Sequence, residues 1–374
     1  MRRLVVIGLL AMTLIGILGW ADSRPLLVSV DANLSGSGSN QPALPDVGAS
    51  QAGSPSQGAD TTSEPLPLAM WDLNAVQIPF ADLKSLVPSM ETLAGGAAYR
   101  VAEGQWGGAK QKVHVLTVDP ASETLRVRPV LSFNRLFGFE TLSEMAGRKG
   151  ALAAVNGGFA DTDGRPSGTV MITGELLHPA DKRFPTLILG KDQAGLTVLE
   201  TVVSVQLGGE TLLADGFNPW PAPTGLSVFT PAYGSAHRMD RPHLAIQVSA
   251  GNVLRIMETT GSVSIPTDGF VLAAVGTAAR EALLAHCTVG DPIAVAVEYF
   301  PELPSGTLDA MSCGSFLVQG GVSVVPERDI WVGPMNGPAP RTVVGLGSQG
   351  QLVFVVAEGR IQDGPSGFTG KGLG

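Results

Sequence analysis

The chain has 374 residues, 44% of them hydrophobic and 15% charged, which is enough apolar material for a sizeable core and excludes a wholly disordered protein. Its formal charge of −9 excludes the basic surface that nonspecific nucleic-acid binding requires, so no nucleic-acid partner is expected. The 48 glycines suit a turn-rich β protein and argue against a helical bundle.

Met1-Arg2-Arg3 followed by the apolar run Leu4–Trp20 has the basic and apolar regions of an export signal, and Gly19-Trp20-Ala21 offers a small-x-small cleavage site. Its 17 apolar positions also approach the length of a membrane span, so residues 1–21 read as a signal peptide or as an anchor, with a membrane tether through residues 4–20. Either reading places the rest of the chain outside the cytoplasm, in a periplasmic or extracellular location. Residues 22–68, rich in Ser, Gly and Pro, carry too few large apolar side chains to offset ordering entropy and are expected to form a disordered linker. Residues 69–98, with Trp71, are expected to hold a docking segment containing a short helix.

From Tyr99 onward short apolar or alternating runs are separated by Gly, Pro and Asp. Val113–Val118 and Leu125–Leu131 read as neighbouring strands. Thr141–Arg148 reads as a short helix, with Thr141 as cap and Glu144 at the capping-box position. Further strands are predicted at 168–172, 186–189, 198–206, 226–230, 244–249, 253–257, 270–275, 292–299, 315–318, 342–346 and 351–357, and a helix at Thr277–His286. The predicted fold class is α+β: a single β-rich mixed-sheet domain over 99–374 with few helices, after the N-terminal signal or anchor and the linker.

The run Leu152–Val155 stops at Asn156-Gly157-Gly158-Phe159, and Asp161, Asp163 and Arg165 follow at once. A buried strand ending in glycines suits a loop that presents chemistry, but Asn-Gly and Asp-Gly also form structural hairpins, and residue types alone leave both open. His114 alternates with valines and reads as a solvent-facing strand residue. The other histidines lack zinc-site spacing, so no metal and no cofactor are expected. Cys287 and Cys313 read as a disulfide of an exported protein or as two buried thiols, and the third alternative, Cys313 as a thiol nucleophile, has no Cys-His signature around it. The stretch from Gly364 to Gly372 lacks the glycine offset and the Ser/Thr of a phosphate-binding loop.

Several segments, in order, resemble motifs of the phosphodiester glycosidase family: Asn156-Gly157-Gly158-Phe159, Ile265–Leu272 (IPTDGFVL), Val289-Gly290-Asp291, Cys313–Val318, Pro340–Gly345 (PRTVVG) and Ala357–Arg360 (AEGR, with Glu where the family has Asp). The resemblance covers about 99–369. It implies an exported hydrolase that cleaves a sugar-1-phosphodiester in envelope or extracellular glycans. The implied partner is a glycan or sugar-phosphate substrate.

By this resemblance Asn156, Glu358 and Arg341 are the candidate catalytic residues. Gly157, Gly158, Phe159, Arg183, Arg360 and Thr369 are the candidate substrate-binding residues. The residue types suit the task. A carboxylate meets the anomeric charge, guanidinium forks hold phosphate oxygens, and an amide beside glycines reads hydroxyls. Glu358 and Arg360 also read as a mutual ion pair, and Arg341 as a surface strand cation. The family continues past Ser366-Gly367-Phe368-Thr369 to a DGGGS-type loop, whereas this sequence ends at Gly374, so the domain is expected to be incomplete at its C-terminus, less stable than a complete relative and inactive if that loop is essential. The alternative in a different class is a non-catalytic envelope module that binds glycan or polymer on the same fold.

Overall fold

The computed structural model describes residues 96–374, apart from 181–183 and 221, together with the backbone of Arg3–Gly8, Leu26–Leu27 and Ser89–Leu93. Most of the predicted signal or anchor, and the linker over 22–68 apart from Leu26–Leu27, lie outside the described residues. Among the described residues no helix is long and apolar enough to cross a membrane.

The architecture is α+β and dominated by strands, with helices Leu142–Lys149, Thr277–His286 and Gly370–Leu373. One sheet is parallel, in the order Leu26–Leu27, Ala151–Asn156, Arg3–Gly8, Leu125–Val130. The backbone of Arg3–Gly8, part of the apolar N-terminal run, therefore lies between the two strands that frame the first helix, with Gly8 opposite both Val130 and Asn156. A second sheet is antiparallel, in the order Arg341–Leu346, Leu352–Ala357, Ala109–Val118, Ala97–Trp106, Ser89–Leu93. A third is built around the 14-residue strand Ala194–Leu207. Its first half pairs with Phe184–Gly190, and its second half pairs with Glu210–Leu213 and Ile293–Phe300. The fourth sheet centres on Gly269–Val275 between Gly225–Phe229 and His243–Ser249.

Burial follows the two-residue period. Leu116, Val118, Leu352, Phe354 and Val356 point from the second sheet into one cluster with Leu125, Val127, Ala153 and Val155 of the parallel sheet. A second cluster packs Val205, Val228, Ile246 and Leu272 against Leu283 of the helix Thr277–His286. Each such side chain, fully removed from water, contributes roughly 1.5–3 kcal/mol.

The helix Leu142–Lys149 forms for the reason its sequence suggests. Thr141 accepts from the Glu144 amide, the Glu144 carboxylate accepts from the Thr141 amide, and Gly150 at φ 59° closes the helix in the left-handed region. Glu140 and Arg148 then tie the helix to the preceding turn through Arg148 Nε and Nη2 and the Phe133 amide.

Three expectations are corrected. Val113–Val118 and Leu125–Leu131 are not neighbouring strands; they belong to different sheets and meet only through their buried faces. Of the docking segment expected over 69–98, residues 69–88 lie outside the described residues, and the described part holds the strand Ser89–Leu93 and the start of the strand Ala97–Trp106. The strand predicted at 315–318 is mostly loop. The buried strand there is Thr307–Ser312, whose Ala310 and Met311 sit between two partners. Cys287 and Cys313 are free thiols, each packed with a different apolar cluster, which removes the disulfide alternative. Burial pushes the Cys313 thiol up to about 11, so it is no thiolate nucleophile at neutral pH.

Candidate active site

The strand Ala151–Asn156 ends at one edge of the second sheet. Asn156 Oδ1 accepts from Thr342 Oγ1 at 2.6 Å, which joins the Asn-Gly-Gly-Phe loop to the residue after Arg341. Cross-strand register places Thr342, Val356, His114 and Val101 in one row across four strands. Side chains alternate, so this row faces the apolar core with Tyr99, Leu116 and Phe354.

Glu358 follows the end of this sheet's Leu352–Ala357 strand and is held on the same face. Its Oε1 accepts from His114 Nε2 at 2.7 Å and from Lys112 Nζ at 3.4 Å. Tyr99 Oη lies 2.7 Å from His114 Nδ1, and Lys112 also reaches Glu103 at 3.3 Å. Burial alone would lower the Lys112 ammonium pKa, but its bonds to Glu103 and Glu358 outweigh that and raise it. His114 is therefore not a solvent-facing strand residue. Its side chain is 13% exposed and both ring nitrogens are engaged. The sequence signal that could have found it is the family of core positions around it: Leu116 and Val118, two and four residues on, are buried.

Arg341 begins its strand opposite Ala357 and, by alternation, occupies the other face of the same rim. Its guanidinium is half-buried against Phe368 O at 3.4 Å, Gly337 O at 3.3 Å and Met335 Sδ at 3.6 Å. Burial first, and Arg360 second, lower its pKa from the ordinary arginine value, with Asp329 opposing; it stays protonated. Among the described residues no carboxylate lies within ion-pair distance of Arg341 or Arg360. The mutual Glu358–Arg360 ion pair is thus replaced by Lys112 and His114 on Glu358. The reading of Arg341 as a surface cation gives way to a half-buried one. The physical reason is that the turn after Ala357 carries Arg360 at φ 60° toward the Ser366 backbone.

Gly158 meets the chain itself: a Cβ there would stand 2.9 Å from Ser312 O. Phe159 stacks on Trp331 with ring centroids 5.2 Å apart and a 13° interplanar angle, and Trp331 also meets Phe184 at 4.9 Å. Phe159 and Trp331 line a small, narrow cleft with Gly158, Pro166, Met311 and Ser312. Asp329, two residues before Trp331, accepts from Ser315 N and Oγ and from the amides of Trp331 and Val332. Burial would raise its carboxyl pKa, but these four bonds together bring it below the usual carboxylate range. Trp331 and Asp329 were not read as site residues, since a lone Trp-Val-Gly turn carries no spacing signal.

Asp161 is occupied by Arg165 and Ser167 within its own turn. Thr369 accepts from the Gly372 amide at 3.0 Å and caps the four-residue helix Gly370–Leu373. Gly157 sits half-buried between Asn156 and Gly158, and Arg183 lies outside the described residues.

Residues 243–374 match the family model described as phosphodiester glycosidase, a stretch that contains Arg341, Glu358, Arg360 and Thr369 but not Asn156 or His114. Among solved structures, the chain is similar to a hypothetical protein from Synechocystis, with 18% identity, a TM-score of 0.66, and 78% of this chain and 55% of that chain covered. It is also similar to a protein from Burkholderia pseudomallei K96243 described as an exported-protein candidate, with 21% identity, a TM-score of 0.57, and 71% and 65% covered. These likenesses show the fold, and the chain spans a little over half to about two thirds of their length. No curated protein matches. Over residues 243–374, about a third of its length, this chain is similar to the phosphodiester glycosidase family.

Proposed function

We propose that this protein is an exported hydrolase that cleaves a sugar-1-phosphodiester in envelope or extracellular glycans. The observation that carries the reading is the Arg341 guanidinium: half-buried, within the field of Arg360, with carbonyl and thioether contacts but no carboxylate in contact, on the strand pair that also delivers Glu358. Partial burial of a cation that no carboxylate touches is unfavourable, and an anionic ligand offsets that cost. The similarity of residues 243–374 to the phosphodiester glycosidase family supports the phosphate as that anion. The likeness to an exported-protein candidate supports the location.

The chemistry needs fewer groups than ordinary glycoside hydrolysis. A glycosidase with an alcohol leaving group uses a second carboxylic acid to protonate it. A phosphodiester instead leaves as a stable phosphate monoester anion, so one carboxylate suffices. In the proposed reaction the oxygen of water bonds to the anomeric carbon as the bond from that carbon to the phosphate oxygen breaks. The electron pair departs on the phosphate monoester, and Glu358 takes the proton that water releases. Arg341 and Arg360 hold the phosphate on one side of the sheet rim. Asn156, oriented by Thr342, meets sugar hydroxyls on the other.

The test is release of free sugar from a panel of glycosyl-1-phosphate methyl diesters. Arg341→Ala should weaken apparent substrate affinity about 10-fold to 100-fold, the worth of charged hydrogen bonds, and Glu358→Gln should abolish turnover with binding retained. Diester binding without sugar release by the wild type would instead favour the non-catalytic glycan-binding module.

A further inference from the structure

The Glu358 carboxylate is gripped asymmetrically, and the grip can be traced to its source. A carboxylate only accepts, so His114 Nε2 carries the hydrogen in the 2.7 Å contact to Oε1. In the neutral ring Nδ1 is then bare, and the Tyr99 hydroxyl donates to it at 2.7 Å. The two rings lie nearly parallel, with a 21° interplanar angle and centroids 6.1 Å apart, which limits rotation of the imidazole. Lys112 adds a second donor to the same Oε1. All three supporting residues sit on strands of one sheet rather than on loops, in fixed antiparallel register. Their face packs on the apolar core, leaving the His114 and Glu358 side chains 13% and 18% exposed.

Resting on the hydrolase reading of Glu358, we propose that His114, locked by Tyr99, is the positioning residue that fixes Oε1 of Glu358 and leaves Oε2 as the oxygen that meets the anomeric centre. The relay touches neither the phosphate nor the sugar. Its contribution is rotational: without it the carboxylate turns about its terminal torsion and presents either oxygen at variable depth. Misplacement of a reacting group by about 1 Å costs on the order of 100-fold in rate.

The experiment pairs kinetics with a readout that needs no turnover. Nitrogen-15 NMR of the histidine side chains should show His114 protonated on Nε2, with that proton slow to exchange in the wild type and fast in Glu358→Ala. On the diester panel, His114→Phe should lower kcat about 100-fold with KM within about two-fold. His114→Gln, whose amide can still donate to Oε1, should recover part of that loss, and Tyr99→Phe should show a smaller loss in kcat alone. The conservative pair keeps the test valid should His114→Phe fold poorly. An Nδ1-protonated His114, or His114 variants that change KM but not kcat, overturns the positioning role while leaving the hydrolase reading standing. Diester binding with no sugar release by the wild type overturns the hydrolase reading, and the positioning role falls with it.

Discussion

Acid should weaken this fold through one buried histidine pair. His237 and His243 are 0% and 1% exposed, their Nε2 atoms lie 3.2 Å apart, and their rings meet edge to face. The Met239 amide donates to His237 Nδ1, so His237 carries its hydrogen on Nε2 and donates it to His243. His243 in turn donates from Nδ1 to the Arg241 carbonyl. Every polar atom of the pair is satisfied only while both rings are neutral. Burial first, and His243 second, push the His237 pKa down to about 4 from an ordinary 6.5.

A lowered histidine pKa stabilises the fold fully above 6.5, and that stability is lost as pH falls from 6.5 through about 4, because the unfolded chain takes up the proton first. The difference of about 2.5 units at 1.36 kcal/mol each corresponds to roughly 3 kcal/mol. That is a large share of the stability of an ordinary domain. Urea unfolding of the wild type and of His237→Gln at pH 7, 6, 5 and 4.5 measures it, since the titrations common to both chains cancel in the difference. Because the last point lies above pH 4, the wild type should lose roughly 2 kcal/mol more than the variant across that range. Parallel pH dependences of the two chains would refute the argument.

Two further outcomes test the packing that positions the site. Glu140 is buried and accepts from Arg148 Nε and Nη2 and from the Phe133 amide, whereas Arg148 is partly exposed and keeps Asn134 Oδ1 and Leu131 O, so Glu140→Ala removes three charge-assisted bonds without stranding the guanidinium and should cost about 2 kcal/mol by urea denaturation. Arg148 chiefly holds that carboxyl below its usual range, so the stabilisation is present above the ordinary carboxylate pKa and fades as pH falls below it. Gly158→Ala would push a methyl against Ser312 O, and should lower stability by roughly 1–3 kcal/mol in the same assay, with turnover falling as the neighbouring Asn156 is displaced.

Local chemistry was legible wherever neighbours in sequence are neighbours in space. Thr141 and Glu144 announced the helix and its capping box, and Thr277–His286 was legible to the residue. The runs 342–346 and 351–357 announced two strands, which the structure pairs across a short turn. The end of a buried strand at Asn156 was equally plain, because an apolar run meeting two glycines has few other solutions.

What tertiary structure decided is which side of a strand each polar residue serves and what it meets there. Val-His-Val has the same pattern whether the histidine faces water or a core. Only the pairing of His114 with Val356, and of Tyr99 with Leu116, puts its ring between a phenol and a carboxylate from residues 15 and 244 positions away. Likewise Arg341 and Glu358 share a rim but not a face, since two-residue alternation separates them once their strands pair. The two cysteines could be counted in the sequence, but their separation into different apolar clusters is a property of how four sheets pack. Composition and periodicity determine which segments become strands. Long-range register, which no local preference encodes, determines which of their side chains can act together.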